Sequence, residues 1–142
     1  MRVRFPRLPD HERAWALVER ELRITDGIWG AIAAGVVFDS MQHVSGRRPP
    51  HAAGRSAQLK RSFQSQGLRA EVLADLVSSA AALGTLTQDK IRRLADDKLS
   101  VLPESHVDPV VIAAAARALQ VEAARWARLR VGEELCYEWP GR

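Results

Sequence analysis

Apolar side chains recur along most of the chain at intervals of three or four residues, which is the spacing of a helix face. The clearest run lies over 68–83, where Leu, Val and Ala fall on one side of a helix. A later alanine-rich run places Ile112, Leu119 and Trp126 on one face and arginines opposite them. The periodic runs predict six helices: five over about residues 11–24, 27–44, 55–66, 68–83 and 109–130, and one that follows a cap at Thr85 and runs to about residue 99.

Capping and breaking residues predict where these helices begin and end. Asp26 precedes the second helix, and Asp108 followed by proline precedes the last one; both fit an N-cap. Thr85, with a glutamine three residues on, fits a capping box. Gly67 is expected to end one helix before the next begins.

The two ends of the chain alternate between apolar and polar residues, as short strands do. Val3 and Phe5 alternate with arginines, and Leu135, Tyr137 and Trp139 alternate near the other end. We predict an all-α fold, a single helical domain over 1–142 built from five to six helices, with a terminal β-ribbon as a further option. Residues 1–9 would form an extended arm, 45–55 a loop and 132–142 a tail.

Composition narrows the class of protein. A chain of 142 residues with 46% apolar and 27% charged residues suits one globular domain. The single cysteine, Cys136, excludes an intramolecular disulfide and a cysteine-rich zinc site. The start of the chain has no apolar signal segment, and no apolar run approaches the roughly 20 residues of a bilayer span. We therefore expect a cytoplasmic protein that does not enter a membrane.

The longest uncharged stretch, GIWGAIAAGVVF over 27–38, is rich in glycine and alanine. It contains the first half of a P-loop, but two valines stand where that motif needs lysine and a hydroxyl residue. On a helix its small residues would form flat strips that allow a neighbouring helix to approach closely. We predict a packing strip or a dimer interface composed of Gly27, Gly30, Ala31, Ala34 and Gly35.

A metal site is an alternative at the end of the same helix. Asp39 and His43 are four residues apart, so they would share a helix face and could bind one ion, or Asp39 could orient His43 as a base. His11 and Glu19 are further candidate ligands. The simpler interpretation is that Asp39 and His43 are an ordinary pair of side chains at a helix C-terminus, because no third metal ligand follows at the spacing of a known motif.

Basic residues are concentrated in one part of the chain. No Asp or Glu occurs between residues 42 and 70. A salt-sensitive contact with nucleic acid is therefore an alternative function, although such charge runs are usually solvated surface. The candidate residues are Arg47, Arg48, Arg55, Lys60, Arg61 and Arg69.

Two fragments, MRVRFPRLPDHERAWALVER and RELRITDGIWGAIAAGVVFDSMQHV, resemble an uncharacterised group of actinobacterial small proteins. In that group a hairpin and a helix similar to H-D-L-x-H-x-x-x-E lie between the two parts, whereas here LVER continues directly into ELRI. The local match begins at His11, and Trp15 stands in place of the second histidine. The resemblance covers the first third of the chain, implies that any metal site of the group is incomplete here, and brings no known activity.

The sequence favours a non-catalytic module over an enzyme. No G-x-G-x-x-G, G-x-S-x-G or H-E-x-x-H motif occurs. We expect a protein-interaction or self-associating module without a cofactor, whose partner is a second copy or another protein. Nucleic-acid binding through the basic stretch 47–69 and a metal-dependent enzyme around Asp39 and His43 stay open.

Overall fold

The structure, a computed structural model, describes residues 2–5, 10–39, 41, 51–102 and 106–139. Within them the chain is helical apart from one pair of short strands, which confirms the all-α class. The elements in chain order are β1 (Arg2–Phe5), α1 (Asp10–Glu21), α2 (Ile28–Ala34), α3 (Ala52–Ala82), α4 (Gln88–Lys98), a 3-10 turn (Leu99–Val101), α5 (Pro109–Ala127) and β2 (Leu135–Glu138).

The long helix α3 lies at the centre and packs against all four other helices. Fully buried side chains from four helices meet on it: Val18 of α1, Leu76 and Val77 of α3, Ile91 of α4 and Ile112 of α5. Alanines buried on the facing sides of α3 and α5 allow these two helices to approach closely. The core therefore follows the apolar stripes predicted from the sequence, except at the two ends of the 68–83 stripe, where Leu68 and Leu83 are exposed.

Helix α3 is continuous where two helices were predicted. It runs from Ala52 to Ala82 without a break at Gly67, so the expected boundary there is wrong, and the predicted loop 45–55 is helical from Ala52. Gly67 lies buried inside the helix, and a Cβ at this position would lie 3.1 Å from Cζ of Phe63. The glycine accommodates an aromatic ring one turn away rather than ending the helix.

Helix α2 is much shorter than predicted. It ends at Ala34 rather than near Val44, because Gly35 adopts a left-handed conformation with φ of 109°. The amide of Val36 donates to the carbonyl of Ala31, and the amide of Gly35 donates to that of Ile32, each at 2.9 Å. These two bonds form a Schellman motif, which satisfies the last carbonyls of a helix and turns the chain away from its axis.

The segment after α2 lies along the first half of α3. The hydroxyl of Ser56 accepts from the amide of Val37 at 2.9 Å. Phe38 meets Phe63 edge to face, with ring centroids 5.9 Å apart, and Asp39 pairs with Lys60. This segment is therefore held in place by α3 side chains that are themselves spaced three or four residues apart.

The strands β1 and β2 pair antiparallel, with Arg2 opposite Glu138 and Phe5 opposite Leu135. This ribbon joins the predicted extended arm to the predicted tail. Among the described residues, no helix combines the length and apolar character that crossing a membrane would require.

Two of the predicted helix caps can be compared with the structure. Asp108 caps α5 by accepting from the amide of Val110 at 2.8 Å, as predicted. Helix α4 is capped by Thr87 rather than by Thr85: the Thr87 hydroxyl accepts from the amide of Lys90 at 3.4 Å. The capping-box prediction was therefore two residues early.

Candidate functional site

A buried carboxylate from α1 caps the start of α2. One oxygen of Glu19, which is only 2% exposed, accepts from the amides of Trp29 at 2.9 Å and Gly30 at 3.0 Å. Asp26, the predicted cap, does not fill this role, because the N-cap position is Gly27 and has no side chain. Burial raises the pKa of Glu19 to about 7, and the amide donors offset only part of that effect.

The three glycines of the predicted packing strip lie in three different local environments. A Cβ on Gly27 would collide with the Glu19 carboxyl group, and one on Gly30 would collide with the carbonyl of Thr25. Gly35 lies beyond the helix, so Gly27, Ala31 and Gly35 do not line up on α2, although Ala31 is buried. The predicted strip of Gly27, Ala31 and Gly35 is therefore wrong, whereas the predicted pair Gly30 and Ala34 does lie on α2, with Gly30 buried and Ala34 half-buried.

Of the four candidate metal ligands, the structure describes the side chains of Asp39 and Glu19. Asp39 is exposed and accepts from Lys60 Nζ at 2.9 Å, which lowers the pKa of its carboxyl group. Asp39 also follows the end of α2, so it does not lie on the helix for which the i, i+4 spacing with His43 was predicted. His43 and the side chain of His11 lie outside the described residues, and Glu19 is occupied by backbone amides. Among the described residues, no three His, Cys, Asp or Glu side chains are placed to hold a metal ion.

The basic stretch contributes three exposed arginines to the described structure. Arg55, Arg61 and Arg69 lie on the exposed side of α3, whereas Lys60 is engaged by Asp39. The other two candidates, Arg47 and Arg48, lie outside the described residues. Among the six residues singled out, only these three arginines are therefore seen exposed.

A second buried carboxylate links α5 to the ribbon, and sequence reasoning missed it. The hydroxyl of Tyr137 on β2 donates to Glu122 at 2.5 Å and accepts from the indole of Trp126 at 2.9 Å. Arg125 donates to the other oxygen of Glu122 at 2.7 Å. Burial and the bond to Glu122 raise the pKa of Tyr137 to about 12. The only hint in the sequence was a glutamate on the otherwise apolar inner side of α5.

A small cleft opens beside this network. Aromatic rings from Trp126, Tyr137 and Trp139 line it together with Arg13 and Arg20 of α1. The guanidinium of Arg13 lies 4.9 Å from the centre of the Trp126 ring, and that of Arg20 lies 5.2 Å from the Tyr137 ring. The cleft has room for little more than one water molecule. It therefore joins the ribbon to the helices and does not offer a substrate site.

We expect Tyr137→Phe to lower the free energy of unfolding by about 2 kcal/mol, because it removes a donor to a buried carboxylate and the acceptor of the Trp126 indole. Urea unfolding followed by circular dichroism measures the change. Cys136→Ser, at the exposed neighbouring position on the same strand, is the control, with an expected effect within about 0.5 kcal/mol. Equal effects of the two substitutions would contradict a stabilising role for the hydroxyl.

The exposed side of α5 is unusually apolar for a surface. Val110 is 56% exposed and Val121 is 61% exposed, and Val111 beside them is 43% exposed. We define the outer face of α5 by its exposed residues at alternating intervals of four and three: Val110, Ala114, Arg117, Val121, Ala124 and Arg128. The order Val, Ala, Arg thus occurs twice along the helix. Alternating steps of four and three keep a stripe in line along one side of a helix and are typical of helix-to-helix contacts.

The charges on this side of α5 have one sign. Arg117 and Arg128 belong to the outer face, and Arg125 lies beside it. The one carboxylate of α5, Glu122, is 8% exposed and is engaged by Tyr137 and Arg125. The outer face is therefore an apolar stripe with positive charge and no negative charge of its own helix.

Comparisons of this chain with known protein families, with curated proteins and with solved structures find no match. The resemblance of the first third to an actinobacterial group stays a prediction. The geometry of the surface, rather than any relative, is therefore the basis for a proposed function.

Proposed function

We propose that this chain is a non-catalytic protein-interaction module that binds a helix of another protein along the outer face of α5. The observation that carries this proposal is the pair of exposed valines, Val110 and Val121, with exposed alanines at helical intervals between and after them. Single exposed apolar residues are ordinary, whereas an aligned stripe on one helix is typical of an interaction surface. The free, exposed Cys136 suits a reducing compartment, and we place the interaction in the cytoplasm.

Another protein suits this surface better than a second copy of the chain. Pairing two outer faces would bring the arginines of both copies into one interface without a carboxylate from either α5. Like charges brought together in this way oppose association. Nucleic acid suits the face less well than protein does, because phosphate contacts need no row of valine and alanine.

Site-specific photo-crosslinking in the natural host tests the proposal. A photoreactive benzoylphenylalanine is placed at Val110 or Val121, and at two control positions off the face, Arg93 of α4 and Val131 beyond α5, which are also exposed. We expect an adduct of one defined mass from both α5 positions and from neither control. The adduct from position 110 should be lost when Val121→Asp is added, because a charge in the apolar stripe opposes binding.

Each alternative to this proposed function predicts a different crosslinking result. An adduct with twice the mass of the chain would replace a foreign partner with a second copy. Crosslinks to nucleic acid alone from the α5 positions would replace the protein partner with nucleic acid on this face. Equal adducts at all four positions, or none on α5, would overturn the proposed function. Circular dichroism of each variant shows whether the helical fold is retained.

A further inference from the structure

We infer that the partner segment is an acidic amphipathic helix, with apolar residues at intervals of four and three and carboxylates on both flanks. This inference rests on the proposed function and adds to it the chemistry of the partner.

The form of the partner follows from the shape of the outer face. Its six positions alternate in steps of four and three, which is the 3.5-residue repeat of two helices packed side by side. Ala114 and Ala124 are small and exposed, so a neighbouring backbone can approach closely at these points. From Val110 to Arg128 the face covers roughly 27 Å at 1.5 Å per residue. A partner helix of about five turns therefore matches its length.

The charge of the partner follows from the arginines. Arg117 lies between Ala114 and Val121, and Arg128 lies at the end of the face, so each apolar pair is followed by a positive side chain. A guanidinium prefers a planar carboxylate as its partner and can bind it through two hydrogen bonds. Exposed carboxylates of this chain do occur just outside α5, at Asp108 before it and at Glu133 and Glu134 beyond it, but none lies on the outer face itself. An acidic helix would supply the missing negative charge.

Arg125 is expected to contribute less than its two neighbours. It already donates to Glu122 at 2.7 Å, and Glu122 also holds the hydroxyl of Tyr137. A partner carboxylate that drew Arg125 away would leave a buried carboxylate with one fewer donor. We therefore assign charge selectivity to Arg117 and Arg128.

Three synthetic helical peptides test the inference. All carry leucines at the same four-three intervals, and the flanking positions are all Glu, all Gln or all Lys. Binding to the full chain is measured by fluorescence anisotropy. We expect the Glu peptide to bind with micromolar affinity and at least ten times more tightly than the Gln peptide, and the Lys peptide not to bind. Raising salt from about 50 to about 500 mM should remove most of this preference.

Variants of this chain test the contribution of charge to peptide binding separately from the contribution of apolar contact. Arg117→Gln combined with Arg128→Gln should abolish the preference for Glu over Gln while leaving the Gln peptide bound. Val121→Asp should weaken the binding of both the Glu and the Gln peptide. Arg93→Gln on α4 removes an exposed arginine elsewhere and should change nothing. Circular dichroism confirms that each variant keeps its helices.

The outcomes distinguish the inference from the function on which it rests. Equal binding of the Glu and Gln peptides would overturn the acidic partner, while crosslinks from Val110 and Val121 would still support an interaction module. Binding of duplex DNA that is stronger than that of the Glu peptide, and is lost in the double arginine variant, would also overturn it. If no peptide binds and no crosslink forms on α5, both proposals fail.

Discussion

Gly30→Ala is expected to lower the free energy of unfolding by about 3 kcal/mol or more. The new Cβ would fall on the carbonyl of Thr25, which is backbone and cannot rotate away as a side chain can. Moving Gly30 would also pull its amide from the Glu19 carboxylate, now 3.0 Å away. Urea unfolding followed by circular dichroism measures the loss.

Gly54→Ala is the matched control, because the same methyl group is added to a helix where nothing lies within 4 Å. Alanine favours a helix over glycine, so this variant should gain up to about 1 kcal/mol. The two substitutions are thus expected to have opposite signs. A Gly30→Ala variant as stable as the Gly54→Ala variant would mean that the turn between α1 and α2 is not packed as described.

Glu19 is expected to make stability depend on pH between 4.5 and about 7. In the folded chain burial raises its pKa from 4.5 to about 7, so in this range the folded state holds a proton that the unfolded state has released. The contribution of Glu19 is therefore greatest below pH 4.5 and is lost as pH rises to about 7. A pKa difference of this size corresponds to about 3 kcal/mol, since each pH unit is about 1.4 kcal/mol.

Glu19→Gln isolates this contribution because glutamine does not titrate, yet its carbonyl oxygen still accepts from the amides of Trp29 and Gly30. The measurement is the difference in unfolding free energy between the parent chain and the variant across this pH range. It should change by about 3 kcal/mol in favour of the variant as pH rises. Asp39→Asn is the control: because Lys60 lowers the pKa of Asp39, this carboxylate is ionised in both the folded and the unfolded chain across this range, and its difference should stay nearly constant. If the difference in unfolding free energy for Glu19→Gln stayed constant across this range, the pKa of Glu19 would not be raised in the folded chain.

The parts of the fold that could be predicted were local. The apolar stripes of α1, α4 and α5 gave those helices to within a few residues, because burial on one side repeats with the helix period. Asp108 was a correct cap, since a cap and its amide are two residues apart. Gly67 was predicted to end a helix, because glycine often does so. In the structure it lies within α3, where its lack of a side chain leaves room for the nearby ring of Phe63.

The candidate site could not be predicted in the same way. On α5 the sequence placed arginines opposite an apolar stripe, but it gave no sign that exposed valines lie among them. Nearly every position of that helix is apolar, so periodicity does not show which side the rest of the chain covers. The regular steps from Val110 to Arg128 were present in the sequence, yet they gain meaning only once the opposite side is seen buried against α3.

The sequence by itself determined that the chain is helical, where most of its helices lie, and that known catalytic motifs are missing from it. Those properties depend on residues within a turn or two of each other. Only the tertiary structure decided that Glu19 caps α2, that Tyr137 holds Glu122, and that no other described residue covers the outer face of α5. Each of these depends on contacts between residues ten or more positions apart, or on which faces those contacts cover. Distances of that kind are set by how the helices pack and not by the order of residues within any one of them.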